Sequence, residues 1–376
     1  MGRIGGLHKT RRLESLAVPV VIAALQDANV PAERVDEIIV GNAMHGGNPA
    51  RLIALASGLP DSVSAVSIDR QCASGLDAIL NACRTVSAGD ADVVIAGGAE
   101  SISTAPWRIA KPSSLYQTPH FMAVEPVTAD PTDADDAPQV FEASEHLSKK
   151  FGIDRVQQDA WATASHTRAA KAREDRRFVG EIVPLRATPQ EARDQSALDD
   201  PTMDDLSDLP AFVSPDGTLT PGNTSAMHDG AALVVIVSQG MWEELGKPPA
   251  LRLVSNASLG VTPDQEAGAP VEAMKKLYER TSGFNPKDIG IVELGETSAA
   301  QAIVFSASLG IDENILNPDG GEVVRGHPFA AAGAVLVVRL FTRMARNHED
   351  DTRPKFGVCT LGAIGGIGVA ALFERV

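Results

Sequence analysis

Apolar positions along the chain change their period several times, and the changes mark its elements. Leu76, Ile79, Leu80 and Cys83 recur at helical spacing and stop at Ala88-Gly89-Asp90, which predicts a helix closed by a glycine. Just upstream, Val63 to Ile68 is a short apolar run of β type. Strand, tight turn and helix therefore follow one another, with Cys72-Ala73-Ser74-Gly75 at the turn. Downstream, Val156 to Arg173 is amphipathic, and Ala231 to Val237 returns to a buried-strand pattern.

One order of elements occurs twice. The first copy runs through the apolar stretch 36–41, the helix-like 54–59, Cys72 with its small-residue helix, and the strand-then-glycine stretch 91–100. The second runs through 288–293, 306–311, His327 with Ala330-Ala331-Ala332-Gly333, and 356–366. Internal duplication of this kind sets the architecture: two α/β halves, each with helices on its sheet, pack face to face. The turns bearing Cys72 and His327 are then expected at equivalent places, facing one cleft. Between the copies, about 105 to 226, lie Lys111-Pro112-Ser113-Ser114 turns and two acidic runs, Ala129 to Ala137 and Ala197 to Asp208. The acidic runs read as solvated loops. Apolar periodicity in the middle makes the region an inserted loop domain rather than a linker.

Charge and cysteine content narrow the chemistry. A net charge of −16 over 376 residues argues against nucleic acid or an anionic membrane as partner. An anionic substrate needs a local basic pocket against that background. The three cysteines form no CxxC and no even set, so neither a disulfide framework nor a zinc site is suggested. No apolar stretch approaches the roughly 20 residues of a membrane span, and the first residues do not read as a secretory signal. The expectation is a cytoplasmic protein with no metal. A dehydrogenase is disfavoured, because Gly97-Gly98 and Gly365-Gly366-Ile367-Gly368 lack the spaced GxGxxG fingerprint.

Cys72 admits two readings on its own. It is either a buried structural thiol or a nucleophile at a helix start, where unpaired N–H groups and the macrodipole favour a thiolate. Small neighbours let backbone amides and an acyl group come close.

Taken together, several motifs resemble the thiolase family over nearly the whole length. They are Asn48-Pro49-Ala50-Arg51, Gln71-Cys72-Ala73-Ser74-Gly75-Leu76, 96–101, and Gly222-Asn223-Thr224-Ser225 with 229–232. Gly326-His327-Pro328 with Ala332-Gly333-Ala334, and Gly365-Gly366-Ile367-Gly368, complete the set. The resemblance implies a five-layered α-β-α-β-α fold of two duplicated mixed-sheet halves plus an inserted loop domain. The corresponding boundaries are 1–110 plus about 227–247, 111–226, and 248–376. It also implies a homo-oligomer, dimer or tetramer, and acyl-coenzyme A as substrate with no tightly bound cofactor. Carried over by position, Cys72 is the acylated nucleophile and His327 the base that activates it. An adjacent imidazole can convert a thiol of pKa about 8.5 to thiolate at neutral pH. The backbone N–H of Cys72 and that of a glycine in 365–368, here Gly366, are expected to hold the thioester oxygen. Ser255 and Ser225 are expected to contact substrate, Ser255 at the pantetheine arm.

The chain also departs from that family. Gly362 stands where thiolases carry a second cysteine that moves protons at the substrate α-carbon and at the leaving thiol. Cys359 lies three residues away on a predicted strand, roughly 10 Å off and on the other face, so it reads as core. Gly295 replaces an asparagine that holds a water for the second acyl thioester. Glu296 matches the family glutamate and is either a general base, if burial raises its pKa, or structural. Leu209, before Pro210-Ala211-Phe212, replaces an arginine that covers adenine. The family's first strand is represented only by its last residues, at Gly2 to Gly6, which leaves a sheet edge to be covered. Acyl loading keeps its parts, whereas carbon–carbon condensation loses two. The expected activity is acetyl-CoA C-acyltransfer, as 3-ketoacyl-CoA thiolysis or its reverse. Two alternatives are acyl transfer or condensation without a second cysteine, and a non-catalytic subunit working with an accessory partner.

Overall fold

The computed structural model describes residues 1–112, 114, 116, 118–119, 121, 140–185, 193–346 and 353–376; the acidic run Ala129 to Ala137 lies outside them. In chain order the first half contributes β1 (Gly2–Arg3), α1 (Leu13–Ala28), β2 (Glu37–Gly41), α2 (Pro49–Ala56), β3 (Ser64–Ile68), α3 (Ser74–Ala88) and β4 (Val93–Glu100). The intervening region adds α4 (Val140–Phe151), α5 (Arg155–Glu174) and α6 (Met203–Ser207), before β5 (His228–Val237) and α7 (Gln239–Glu244). The second half contributes β6 (Leu251–Gly260), α8 (Ala269–Arg280), β7 (Ile289–Gly295), α9 (Ala299–Leu309), α10 (Glu322–Arg325), α11 (Ala332–Met344), β8 (Phe356–Ala363) and β9 (Ile367–Arg375).

Two mixed sheets result, ordered β1-β5-β4-β2-β3 and β6-β9-β8-β7. In the first, β2 runs parallel to β3 and β4, and β5 antiparallel to β4. In the second, β7 and β8 are parallel and β9 is antiparallel to β8 and β6. Alternation along the strands separates the layers. Ile38, Val40, Val93 and Ile95 pack outward on α1 and α2. Ile39, Val94 and Ala96 face inward on α3, in one core with α11 and with Ile291, Leu361 and Ala371 of the second sheet. Val292, Leu294 and Leu372 face α8 and α9 on the far side. Helix, sheet, paired central helices, sheet, helix make the five layers of a duplicated α/β fold.

The duplication is sharpest at the central helices. Gln71 (φ 51°) opens a 3-10 turn, Gln71–Ala73, that runs into α3. Phe329 (φ 45°) opens a 3-10 turn, Phe329–Ala331, that runs into α11. This matching corrects one expectation: the residue equivalent to Cys72 is Ala330, and His327 lies three residues upstream of it. The intervening region enters between β4 and β5, where the second half has only the turn 364–366.

Two edges depart from the apolar-run reading. β3 is an edge strand, and Val66 within it is 41% exposed. β1 pairs with β5 only at Asp229 and His228. Beyond it, Ala231 to Val237 border a cavity of about 660 Å³ between α1 and α11.

Candidate active site

Local hydrogen bonds latch the Cys72 turn. Ser74 Oγ accepts from the Arg70 N–H at 2.7 Å and donates to the Gln71 carbonyl at 2.6 Å. Asp69 Oδ1 accepts from the Gln71 N–H at 2.9 Å. A Cβ on Gly41 would stand 2.5 Å from the Ser74 carbonyl carbon, so only glycine lets β2 end against the start of α3. Cys72 sits in the 3-10 turn just ahead of the first turn of α3 and retains 8% exposure.

His327 arrives from the other half. Its N–H donates to the Ala226 carbonyl at 2.8 Å, and its carbonyl accepts from the His228 N–H at 2.9 Å. The preceding Gly326 has φ 80°, and a Cβ there would stand 2.0 Å from His228 Nδ1. The ring meets two groups. His327 Nδ1 lies 2.8 Å from Glu322 Oε2, with the two side chains 13% and 5% exposed. The Cys72 sulfur is the other group that acts on the ring's charge. Burial disfavours the charged ring, but the Glu322 carboxylate and then the Cys72 sulfur outweigh it and hold the imidazole pKa well above its usual value.

The other expected residues are placed differently. Glu296 is fully buried: its Oε2 accepts from Trp161 Nε1 and Asn317 Nδ2, each at 3.2 Å, and its Oε1 from the Val323 N–H at 3.4 Å. Burial raises its carboxyl to about 7. A Cβ on Gly321 would stand 1.8 Å from Glu296 Oε1, so the carboxyl lies tight under the start of α10. The Gly366 N–H donates to Glu266 Oε2 at 3.2 Å, beside the Gly365 N–H at 2.8 Å, so that amide is engaged by a carboxylate. Ser225 Oγ donates to the Thr297 carbonyl at 3.3 Å. Ser255 is half-buried on β6, opposite Leu372 of β9.

Sequence reasoning singled out Cys72 and His327 and missed Glu322. The carboxylate stands five residues before the histidine, a spacing that no helix face or strand brings together. The positive φ of Gly326 turns the chain back and makes the contact. A glycine between a carboxylate and a histidine is the only signal the sequence offers.

Family comparison bears directly on this arrangement. The family model described as "Thiolase, N-terminal domain" matches residues 1–240, and "Thiolase, C-terminal domain" matches residues 247–375. This chain belongs to the thiolase family. It is 36% identical to VraB of Staphylococcus epidermidis, over all of this chain and 95% of that one. It is 34% identical to an acetyl-CoA acetyltransferase of Allochromatium vinosum, over all of this chain and 96% of that one. The crystal structure of the Bacillus anthracis acetyl-CoA acetyltransferase superposes with a TM-score of 0.90 at 31% identity, covering 100% of this chain and 96% of that one. The chain is accordingly an acyltransferase of thiolase type.

As a thiolase it is atypical at the second-cysteine position, and the structure describes what stands there. A Cβ on Gly362 would make only ordinary contacts, 3.6 Å from the Glu266 carbonyl oxygen and 3.7 Å from Pro270. Cys359 is fully buried opposite Glu293, and burial, then that carboxylate, holds its thiol well above the usual range. At Gly295 an added Cβ would meet Leu361 Cβ at 2.7 Å and Glu322 Oε1 at 3.6 Å. Leu209 packs with Leu206 and Val323. Among the described residues, no group of three or more His, Cys, Asp or Glu is placed to hold a metal ion, and no helix is long and apolar enough to cross a membrane.

Proposed function

We propose that this thiolase-type acyltransferase carries its acyl group on Cys72 and takes it from acyl-coenzyme A. The observation that carries the reading is the His327 ring, 2.8 Å from the Glu322 carboxylate and with its charged form favoured by Glu322 and by the Cys72 sulfur. The Cys72 thiolate attacks the thioester carbonyl, and a new C–S bond forms. The original C–S bond breaks, and the coenzyme A thiolate leaves with the proton held by His327. An acceptor then attacks the acyl-cysteine and regenerates the pair. Acetyl-CoA is the first donor to test, because similar enzymes are named acetyl-CoA acetyltransferases. In its carbon–carbon form the reaction is 3-ketoacyl-CoA thiolysis or the reverse. Ser255 is the residue we place against the pantetheine arm. A homodimer or tetramer is the assembly proposed, supported by the exposed β3 edge at Val66 and by exposed Leu52 and Leu55 on α2.

A second reading, acyl transfer to an acceptor other than an acyl-CoA carbanion, is favoured by one observation. The side chains expected to handle the α-proton and the second thioester are absent at Gly362 and Gly295, and the polar atom nearest Gly295 belongs to the Glu322 carboxylate. One assay separates the two. The protein is incubated with acetoacetyl-CoA and coenzyme A. Disappearance of the 3-ketoacyl thioester with formation of acetyl-CoA supports the carbon–carbon form. An acyl-enzyme from acetyl-CoA without thiolysis supports the second reading. Failure of both rejects the proposal.

A further inference from the structure

We propose that Glu322 is a positioning residue of this site: by holding Nδ1 of His327 it turns Nε2 toward Cys72, so that cysteine, histidine and glutamate act as one charge-coupled set. The inference rests on the acyl-enzyme reading above and adds a member to it.

The geometry is that of an orienting carboxylate. Glu322 Oε2 is 2.8 Å from Nδ1, within the range of a charge-assisted hydrogen bond. With Nδ1 committed there as donor, Nε2 is the nitrogen left for the sulfur. The contact is nearly dry, since both side chains are largely covered. A carboxylate in such a place fixes the tautomer and stabilises the imidazolium that forms when the thiol gives up its proton. Gly295 borders the carboxylate: an added Cβ there would stand 3.6 Å from Oε1, in ordinary contact.

The surrounding charges decide which carboxyl carries the negative charge. Arg325, on the same short helix, is paired with Glu293 of β7 at 3.3 Å and is not placed on Glu322. Glu296, in the loop after β7, has its carboxyl pKa raised chiefly by burial, to which the Glu322 charge adds. His228 of β5 has its pKa lowered by burial and does not compete as a cation. Cys72, from the turn before α3, is the remaining titratable group on the ring. His327 is thus the cation that answers Glu322, and removing the carboxylate leaves burial to push the ring toward neutrality.

The test compares wild type with Glu322→Gln and Glu322→Asp. Cys72 alkylation by iodoacetamide is followed by mass spectrometry from about pH 5 to about pH 9, with acetylation by acetyl-CoA measured alongside. The amide preserves shape but not charge. For Glu322→Gln we expect the alkylation midpoint to rise by about one pH unit or more, with acetylation falling on the order of tenfold or more. Glu322→Asp should recover part of both. A purely structural role would alter the folded fraction without moving the midpoint. A midpoint and an acetylation rate both unchanged in Glu322→Gln, while wild type acetylates Cys72, overturn the inference and leave the acyl-enzyme reading standing. No acetylation of wild type rejects that reading instead. Should Glu322→Gln fail to fold, the His327 ring is titrated by NMR in the wild type: a ring still protonated above about pH 7 supports the inference, and a ring already neutral there overturns it.

Discussion

A Cβ placed on Gly75 would stand 2.7 Å from the carbonyl oxygen of Ala330. This is where the central helices of the two halves touch, one turn from Cys72 and close to the chain that follows His327. Gly333 repeats the contact from the other side, 2.6 Å from Leu76 Cβ. The approach of α3 to α11 therefore depends on missing side chains. Alanine in a helix is favoured over glycine by up to about 1 kcal/mol, whereas overpacking costs about 1–3 kcal/mol. Overpacking wins here because the obstructing atom is backbone. We expect Gly75→Ala to lower stability in urea unfolding by about 1–2 kcal/mol and to slow acetylation of Cys72. An unchanged midpoint would contradict the tight-contact account.

Gly362 has the opposite surroundings. A Cβ added there would meet nothing closer than 3.6 Å. Gly362→Cys is therefore expected to fold with stability within about 0.5 kcal/mol of wild type. Restoring a thiol at that place should raise acetoacetyl-CoA thiolysis, by a factor on the order of 100 if general acid–base help is what the chain lacks. A well-folded variant with no gain would mean that Gly295 and Glu322, rather than the missing thiol, set the limit on carbon–carbon chemistry.

Glu296 provides a stability signature. Its carboxyl is raised from 4.5 to about 7 by burial. Between those values the folded protein binds more protons than the unfolded chain. The contribution is thus present in full below about 4.5 and lost as pH rises through about 7. The shift corresponds to something on the order of 3 kcal/mol. Glu296→Gln does not titrate there. The difference in unfolding free energy between wild type and variant should fall as pH rises across that window, and a flat difference would show that the buried carboxyl is already ionised in acid.

The three thiols should differ sharply in reactivity. Burial pushes Cys83 up to about 11 and holds Cys359 well above the usual range, whereas the Cys72 sulfur lies within electrostatic reach of the His327 ring. At neutral pH, iodoacetamide is expected to add one label to the native protein, and Cys72→Ala should take up almost none. Labelling of Cys72→Ala at a comparable rate would mean that half-buried Cys83 reacts readily or that buried Cys359 is exposed by local opening.

Much of this arrangement is legible in the sequence because it rests on local signals. The helix after Cys72 ends at Gly89, whose φ of 81° is the left-handed cap that its glycine predicts. The amphipathic stretch from Val156 is α5, closed at its start by a capping box of Asp154 and Gln157. The repeated order of elements announces two sheets around paired helices. Non-local features are not legible. The match of Cys72 to Ala330 is carried by two positive-φ residues, Gln71 and Phe329, that no glycine advertises. The engagement of the Gly366 amide by Glu266 joins residues 100 positions apart. Glu322 reaches His327 only because Gly326 reverses the chain. Periodicity records which face is buried and not which polar groups meet across it.

Sulfur and imidazole are expected to form one working pair, and a single mass measurement addresses this. Wild type, Cys72→Ala and His327→Ala are each mixed with acetyl-CoA, quenched in acid and weighed intact, with the modified peptide sequenced. One acetyl group is expected on wild type, located at Cys72, none on Cys72→Ala, and a far slower gain on His327→Ala. An unmodified wild type, an acetyl group on another residue, or equal acetylation of His327→Ala would contradict it.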